Sequence, residues 1–423
     1  MPSNEHLVSL ARRFRVLIAG ASYSGLSAAL TLLDLSRGQP SRFNYDTEIK
    51  PPQHHIPVDI TLVDEKDGFY HLIGSPRALV DEQFASDTWT RFADIKALQC
   101  PHVRFIRGSV SAVDCKSKTA TILDSVSQTI REEGYDFFIA GTGLRRVFPT
   151  VPQSRTREKF LAEVREFTAD VVNARQGVVV VGGGAVGTEM ATEIKLLYPQ
   201  LHVTLIHSRE RLLSAEPLPD DFKGRVGEVI RKTGVELILG QRVVDTTAME
   251  EKTGRVWTLT LADGRAIKAG HVLSAVSRCT PTSSYLPPQA LDEEGHVRIQ
   301  PSYVWLQFPS TVANANYHFA VGDLAAWSGI KRCGAAMHMG HYAGYNIHQL
   351  MLAECIASKP VFQELQEIPP MIGLCLGKTA VSYHPVDGVK DGEDILASMF
   401  GDDMAYKVCW NYMRLSEPWT PSS

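Results

Sequence analysis

The residues in this sequence best suited to chemistry are glycines. Gly182, Gly184 and Gly187 form a complete G-x-G-x-x-G directly after the four-valine run Val178 to Val181 and open the helical stretch Thr188 to Leu197. In that pattern the first glycine makes a tight turn and the second lets a pyrophosphate approach the backbone. The third packs the helix close to its strand, and the helix N-terminus offers N–H donors and a positive dipole end. A second copy, Gly20-Ala21-Ser22-Tyr23-Ser24-Gly25, stands between the aliphatic run Val16 to Ala19 and the helical Leu26 to Leu35. There Ser22 replaces the middle glycine. Serine is small enough to leave phosphate approach open, although an ordinary turn before a helix also fits. Two such units in one chain suggest two nucleotides facing each other, a bound flavin and a diffusing nicotinamide.

Charged residues stand where such nucleotides would need them. Asp64 and Glu65 follow the strand Asp59 to Val63 and can hold ribose hydroxyls, or be plain solvated charges. Asp323 ends the buried run Tyr317 to Val321; it can accept bonds from a sugar-alcohol chain or cap a helix equally well. At the end of the second nicotinamide-unit strand stands His207 in place of an acid, followed by Arg209 and Arg211. Arginines there can pair with a 2′-phosphate, which favours NADPH over NADH. His338 and His341 lie on the helix after Asp323 and titrate near neutrality, so either can protonate a reduced acceptor or serve only as structure. The seven cysteines are never closer than the pair Cys100 and Cys115. With no C-x-x-C or C-x-x-x-x-C, zinc knuckles and disulfide-reductase chemistry are not expected, no metal site is expected, and any acceptor must meet the flavin directly.

These residues need a scaffold of α/β class. The pattern predicts two Rossmann-like dinucleotide-binding domains plus a small α+β C-terminal domain. The expected divisions are 1–150 and 281–358 for the flavin unit, 151–280 for the nicotinamide unit and 359–423 for an interface domain. A hairpin is expected over Val103 to Leu123, buried strands at Tyr135 to Ala140 and Gly295 to Trp305, and helices at Arg157 to Asn173 and Gly334 to Ile356. Ser36 to Pro57, polar and rich in proline, reads as a surface insertion. At 44% hydrophobic and 21% charged, the chain can fill several cores, which excludes a disordered tail. A net charge of −4 without basic runs argues against nucleic acid or an anionic membrane as partner. No run reaches the roughly 18 apolar residues of a membrane span. The absent signals place the chain in a reducing, cytoplasmic compartment. A homodimer is possible, with Phe400, Trp410 and Trp419 as cleft, core or dimer face.

Taken together, the chain resembles the two-dinucleotide-binding-domain flavoproteins of glutathione-reductase-like fold, and within them the apoptosis-inducing-factor-like group that includes the ferroptosis-suppressor quinone oxidoreductases. Val16 to Gly25, Leu62 to His71, Ser75-Pro76-Arg77-Ala78, Val179 to Ile194, Val203 to Ser208, Gly295 to Gln300 and Gly322-Asp323 carry the likeness. The resemblance implies FAD on Gly20, Ser22, Gly25, Asp64, Lys66, Arg77, Val110 and Asp323, with Tyr23, Ser24, Glu65 and Gly143 flanking. It implies NADPH or NADH on Gly182, Gly184, Gly187 and Glu189, with Val186, His207 and Arg209 beside them. Glu189 would position the hydride donor, or cap its own helix. Arg77 would stabilise charge on the reduced flavin. The implied activity passes hydride from NAD(P)H through flavin to a quinone-like acceptor. A dedicated secondary-metabolite flavoenzyme and a non-enzymatic cell-death or binding protein are the rivals. Two departures stand out: Ala140-Gly141-Thr142-Gly143 replaces the family's A-T-G, and Met1-Pro2 lacks the glycine that a myristoyl anchor needs.

Overall fold

The computed structural model describes residues 8–9, 12–43, 54–251, 254–276, 279–299, 305–327, 330–366 and 369–420. Met1-Pro2-Ser3 and Gln300 lie outside them. The main strands are β1 (Phe14–Ala19), β2 (Val58–Asp64), β3 (Val103–Asp114), β4 (Thr119–Asp124), β5 (Ile130–Gly134) and β6 (Phe137–Ala140). They continue with β7 (Val178–Val181), β8 (Val203–Ile206), β9 (Glu236–Ile238), β10 (Val243–Glu251), β11 (Gly254–Leu261), β12 (Ala266–Ala269) and β13 (His271–Ser274). The last are β14 (His318–Ala320), β15 (Ile372–Leu376), β16 (Thr379–His384) and β17 (Gly388–Gly392). The helices used below are α1 (Tyr23–Ser36), α2 (Arg157–Val172), α3 (Ala185–Leu197), α4 (Asp220–Lys232), α5 (Cys333–Ile356), α6 (Glu393–Met399) and α7 (Tyr406–Tyr412).

The chain is α/β and doubly wound. Its first sheet runs β14-β6-β1-β2-β3-β4-β5, parallel from β14 to β3 and antiparallel beyond. Strand β14 arrives late in sequence and takes the edge beside β6. The second sheet, β9-β8-β7-β13, is wholly parallel. Its two central strands, β7 and β8, are short and largely buried aliphatic runs, as burial on both faces favours, whereas the edge strands β9 and β13 carry polar and exposed residues. A three-stranded antiparallel layer, β10-β11-β12, follows. The two glycine units are joined by a strap in which Leu144–Arg145 pairs antiparallel with Thr280–Pro281.

Helix α1 is buried along its whole length, between the first sheet and α5. The two helices touch because α5 presents glycine there: a Cβ at Gly340 would lie 2.1 Å from the carbonyl oxygen of Ser24. The C-terminal sheet β15-β16-β17 does not stand apart. Leu374, Leu376 and Val381 share a core with Val178, Met190, Ile194 and Phe222 of the second unit, whereas Cys409, Met413 and Leu415 join the core of the first. The last segment therefore bridges both. Among the described residues no helix is long and apolar enough to cross a membrane.

Two expectations fail locally. The described part of Gly295 to Trp305 is not a strand; Val297 makes only isolated bridges to Leu291 and Ala325. Asp292 accepts from the Glu294 and His296 N–H groups and curls that stretch into a turn. The insertion after Ser36 is not purely surface either, since Ser41 and Phe43 are buried against α5.

Candidate active site

Each glycine unit places its loop where a parallel strand hands over to a helix. Gly20 sits at φ +96°, and a Cβ there would come within 2.3 Å of the Gly141 carbonyl oxygen. A Cβ at Gly25 would lie 1.8 Å from the Gly20 carbonyl oxygen, so only glycine lets α1 start this close to β1. Ser22 occupies the N-cap of α1 without a side-chain cap bond, and the first turn holds no acid. Its N–H groups are thus available to an anion. Tyr23 is buried, and its hydroxyl donates to His71 Nδ1 at 3.1 Å, while His71 Nε2–H donates to the Met404 carbonyl at 2.9 Å. Burial pulls the His71 pKa down to about 4 and keeps that ring neutral. Ser24 packs against Gly322, whose Cβ would sit 2.9 Å from the serine oxygen.

The acidic pair after β2 divides its work. Asp64 accepts from the Ala21 N–H through one oxygen and from the Lys66 N–H through the other, both at 2.8 Å, bracing the loop. Burial opposes charge on Glu65, but Ser109 at 2.8 Å together with Arg145 and Arg155 holds its carboxyl below the ordinary range. Val110 is buried on β3, at a bulge in its pairing with β4. Gly143, at φ +70°, accepts from the Thr282 N–H and hydroxyl, so the departure at Ala140 to Gly143 is absorbed by bonds across the strap. Asp323 meets Arg146 at 3.3 Å.

The second loop repeats the first. Gly182 has φ +117°, and a Cβ at Gly187 would lie 1.9 Å from the Gly182 carbonyl oxygen. Gly184, the N-cap of α3, has nothing within 4 Å of its would-be Cβ and faces open space, with Val186 partly exposed two residues on. His207 Nδ1 accepts from the Gly183 N–H at 3.1 Å and Nε2–H donates to Ser214. The histidine thus anchors the glycine loop as a neutral ring, its pKa lowered by burial. Arg209 is exposed, whereas Arg211 is engaged by Asp220. Glu189, on α3 just inside the loop, accepts from the Cys375 N–H of β15 at 3.0 Å. Burial and neighbouring Glu193 raise the Glu189 pKa to about 8; burial raises that of Glu193 to about 7, against the pull of Arg77.

The remaining candidates spread out. Arg77 is held by Asp81 at 3.1 Å and the Asp402 carbonyl at 3.0 Å, over the Phe84 ring, on the wall of a cleft of about 740 Å³. His341 is buried between α1 and α5, bonded to Thr31 and Ser41, and burial drives its pKa to about 3. That is the environment of a packing anchor, not of an acid for a substrate. His338 is half-buried with its ring 4.3 Å from Tyr342. Phe400, Trp410 and Trp419 do not share one cleft: Phe400 packs near Gly373, Trp410 beside Phe69 and Tyr406, and Trp419 under Arg37. Sequence reasoning missed Arg332. It is the N-cap of α5, and its buried Nε has no hydrogen-bond partner among the described residues. An orphaned donor beside an uncapped helix start suits an anionic ring edge. Nothing in its sequence context marks it.

Comparison with known proteins agrees with this geometry. The sequence profile of the pyridine nucleotide-disulphide oxidoreductase family matches residues 14–340. Oxidoreductase OXR1 of Ajellomyces capsulatus is 49% identical over 99% of this chain and 92% of its own. Ferroptosis suppressor protein 1 of Xenopus laevis is 26% identical over 86% and 85%. The water-forming NADH oxidase from Lactobacillus brevis, solved with NADH, superposes with a TM-score of 0.60 at 20% identity, covering 87% of this chain and 74% of that one. FAD and NAD(P)H are the cofactors of such proteins, and the two uncapped glycine loops fit one each.

Proposed function

We propose that this chain, which belongs to the pyridine nucleotide-disulphide oxidoreductase family, is an FAD-dependent NAD(P)H:acceptor oxidoreductase whose acceptor is a quinone-like small molecule. The observation that carries this reading is the pairing of the two glycine loops with Glu189, the carboxyl group that Cys375 holds beside the second loop. FAD, when bound, supplies the redox chemistry between coenzyme and acceptor. The chain's own residues orient and neutralise. The Gly20 loop and the Asp64-braced turn seat one nucleotide, and the Gly182 loop, locked by His207, seats the other. Glu189, largely protonated at neutral pH, is a hydrogen-bond donor at that second loop and fixes the hydride donor's carboxamide. Arg209 stays exposed for a 2′-phosphate, so NADPH is the preferred coenzyme. His338, half-buried with its pKa lowered by burial but not bonded into the α1–α5 contact as His341 is, hands a proton to the reduced acceptor.

The sequence has no C-x-x-C or C-x-x-x-x-C. A planar conjugated acceptor that takes electrons directly is therefore the best match.

The test is anaerobic stopped-flow of the yellow holoprotein. NADPH is expected to bleach the flavin absorbance faster than NADH, and a short-chain quinone to restore it. Bleaching without restoration by any quinone would reject the acceptor and favour a dedicated biosynthetic enzyme. Flavin that neither coenzyme bleaches would overturn the reading altogether.

A further inference from the structure

Two cysteines far apart in sequence meet beside the first glycine loop. Cys333 is the first residue of α5 and Cys409 lies on α7; 76 residues separate them, yet their sulfurs are 3.9 Å apart. The meeting point is next to the flavin loop. Ala336, one turn beyond Cys333, lies within 3.7 Å of where a Gly322 Cβ would sit, and Gly340 rests on Ser24. Tyr23 lies close to both thiols: after burial, their charges are the next causes raising its hydroxyl pKa.

The two sulfurs are not equivalent. Cys333 is half-buried, with Arg332 before it and the Gly334 N–H beside it, at a helix N-terminus without a side-chain cap. The bond from Cys409, together with Gly334 and Arg332, lowers the Cys333 pKa despite burial. Cys409 is fully enclosed, and its contact with Cys333 followed by burial pushes its own pKa up. One thiol is thus disposed to attack, and the other is placed to resolve.

We propose that Cys333 and Cys409 are a redox-active pair that a low-molecular-weight disulfide oxidises to an intramolecular disulfide, tying α7 to the first turn of α5. The steps balance. The Cys333 thiolate attacks one sulfur of the small disulfide, forming a mixed disulfide and expelling one thiolate. Cys409 gives up its proton to that thiolate and attacks the Cys333 sulfur, expelling the second small thiolate. Two protein thiols become one disulfide, and one small disulfide becomes two thiols.

The experiment is thiol mapping on the wild-type holoprotein, anaerobic, with glutathione disulfide as probe. After quenching with N-ethylmaleimide in denaturant, so that buried thiols react too, and proteolysis, a peptide pair linked through Cys333 and Cys409 is expected, with two fewer alkylated cysteines, reversed by dithiothreitol. Cys409→Ser is expected to stop at glutathione on Cys333, and Cys333→Ser to leave Cys409 alkylatable. The proposal is overturned if both remain alkylatable in the wild type under conditions that modify the exposed Cys279, or if only a mixed disulfide on Cys333 accumulates. Neither outcome depends on whether NADPH bleaches the flavin, so this inference and the proposed activity stand or fall separately.

Discussion

At the level of single residues, Gly184 and Glu193 make opposite kinds of demand. Gly184 has ordinary φ and open space around its absent Cβ, so nothing in the fold requires a glycine there. Gly184→Ala is expected to leave unfolding free energy within about 0.5 kcal/mol of wild type. Its NAD(P)H KM should rise roughly tenfold, a loss of about 1.4 kcal/mol. A denaturant titration beside steady-state kinetics checks both, and an unchanged KM would show that no phosphate passes there. Arg209→Ala should raise the KM for NADPH about tenfold and leave that for NADH unchanged, since charge-assisted bonds contribute about 1.5–3 kcal/mol. Glu193, 2% exposed, stays protonated in the folded chain up to about pH 7, whereas an unfolded glutamate releases its proton near 4.5. Its contribution is complete below 4.5 and is lost as pH rises towards 7. Glu193→Gln is therefore expected to flatten the decline in stability between pH 5 and 8, by on the order of 2–3 kcal/mol. Urea midpoints across that range measure it. The glycine positions were readable in the sequence because close backbone approach restricts residue type; Glu189 entered only through the family resemblance, and its partner was not readable, because Cys375 comes from a strand nearly two hundred residues later.

Among the elements, the α1–α5 contact depends on glycine at its closest point. Gly340→Ala would drive a methyl group into the Ser24 carbonyl and is expected to destabilise the protein by about 1–3 kcal/mol. It should also weaken FAD retention, measured as the flavin-to-protein absorbance ratio after gel filtration; a variant with full FAD would separate that contact from cofactor binding. Strand–glycine–helix units, the β3–β4 hairpin and α2 all follow from hydrophobic period and turn residues, which are local signals. Which way a helix turns its side chains is not local. His341 looked as suitable for proton transfer as His338, and only the burial of Ser41 and Thr31 against it shows that it packs α5 onto α1. Likewise Ser36 to Pro57 had the composition of surface, yet Phe43 fills a gap between His341 and Tyr412.

For the molecule as a whole, the arrangement of two cores under one C-terminal segment explains why sequence spacing missed the thiol pair. Cysteine intervals report proximity along the chain, whereas Cys333 and Cys409 are brought together by the packing of the last helix on the first core. The same wholeness has a consequence in time. The first sheet lacks its edge strand β14 until residue 320 has been made, while every strand of the second sheet lies between Val178 and Ser274. During synthesis, the second sheet should become protease-resistant before the first gains its edge strand. Nascent chains arrested at about residue 310, with their tether in the ribosome, are expected to protect the second sheet but retain no flavin; a flavin-bearing chain at that length would contradict this order. At that length six of the seven first-sheet strands have been made, and the sheet stays open along the single edge that β14 will close.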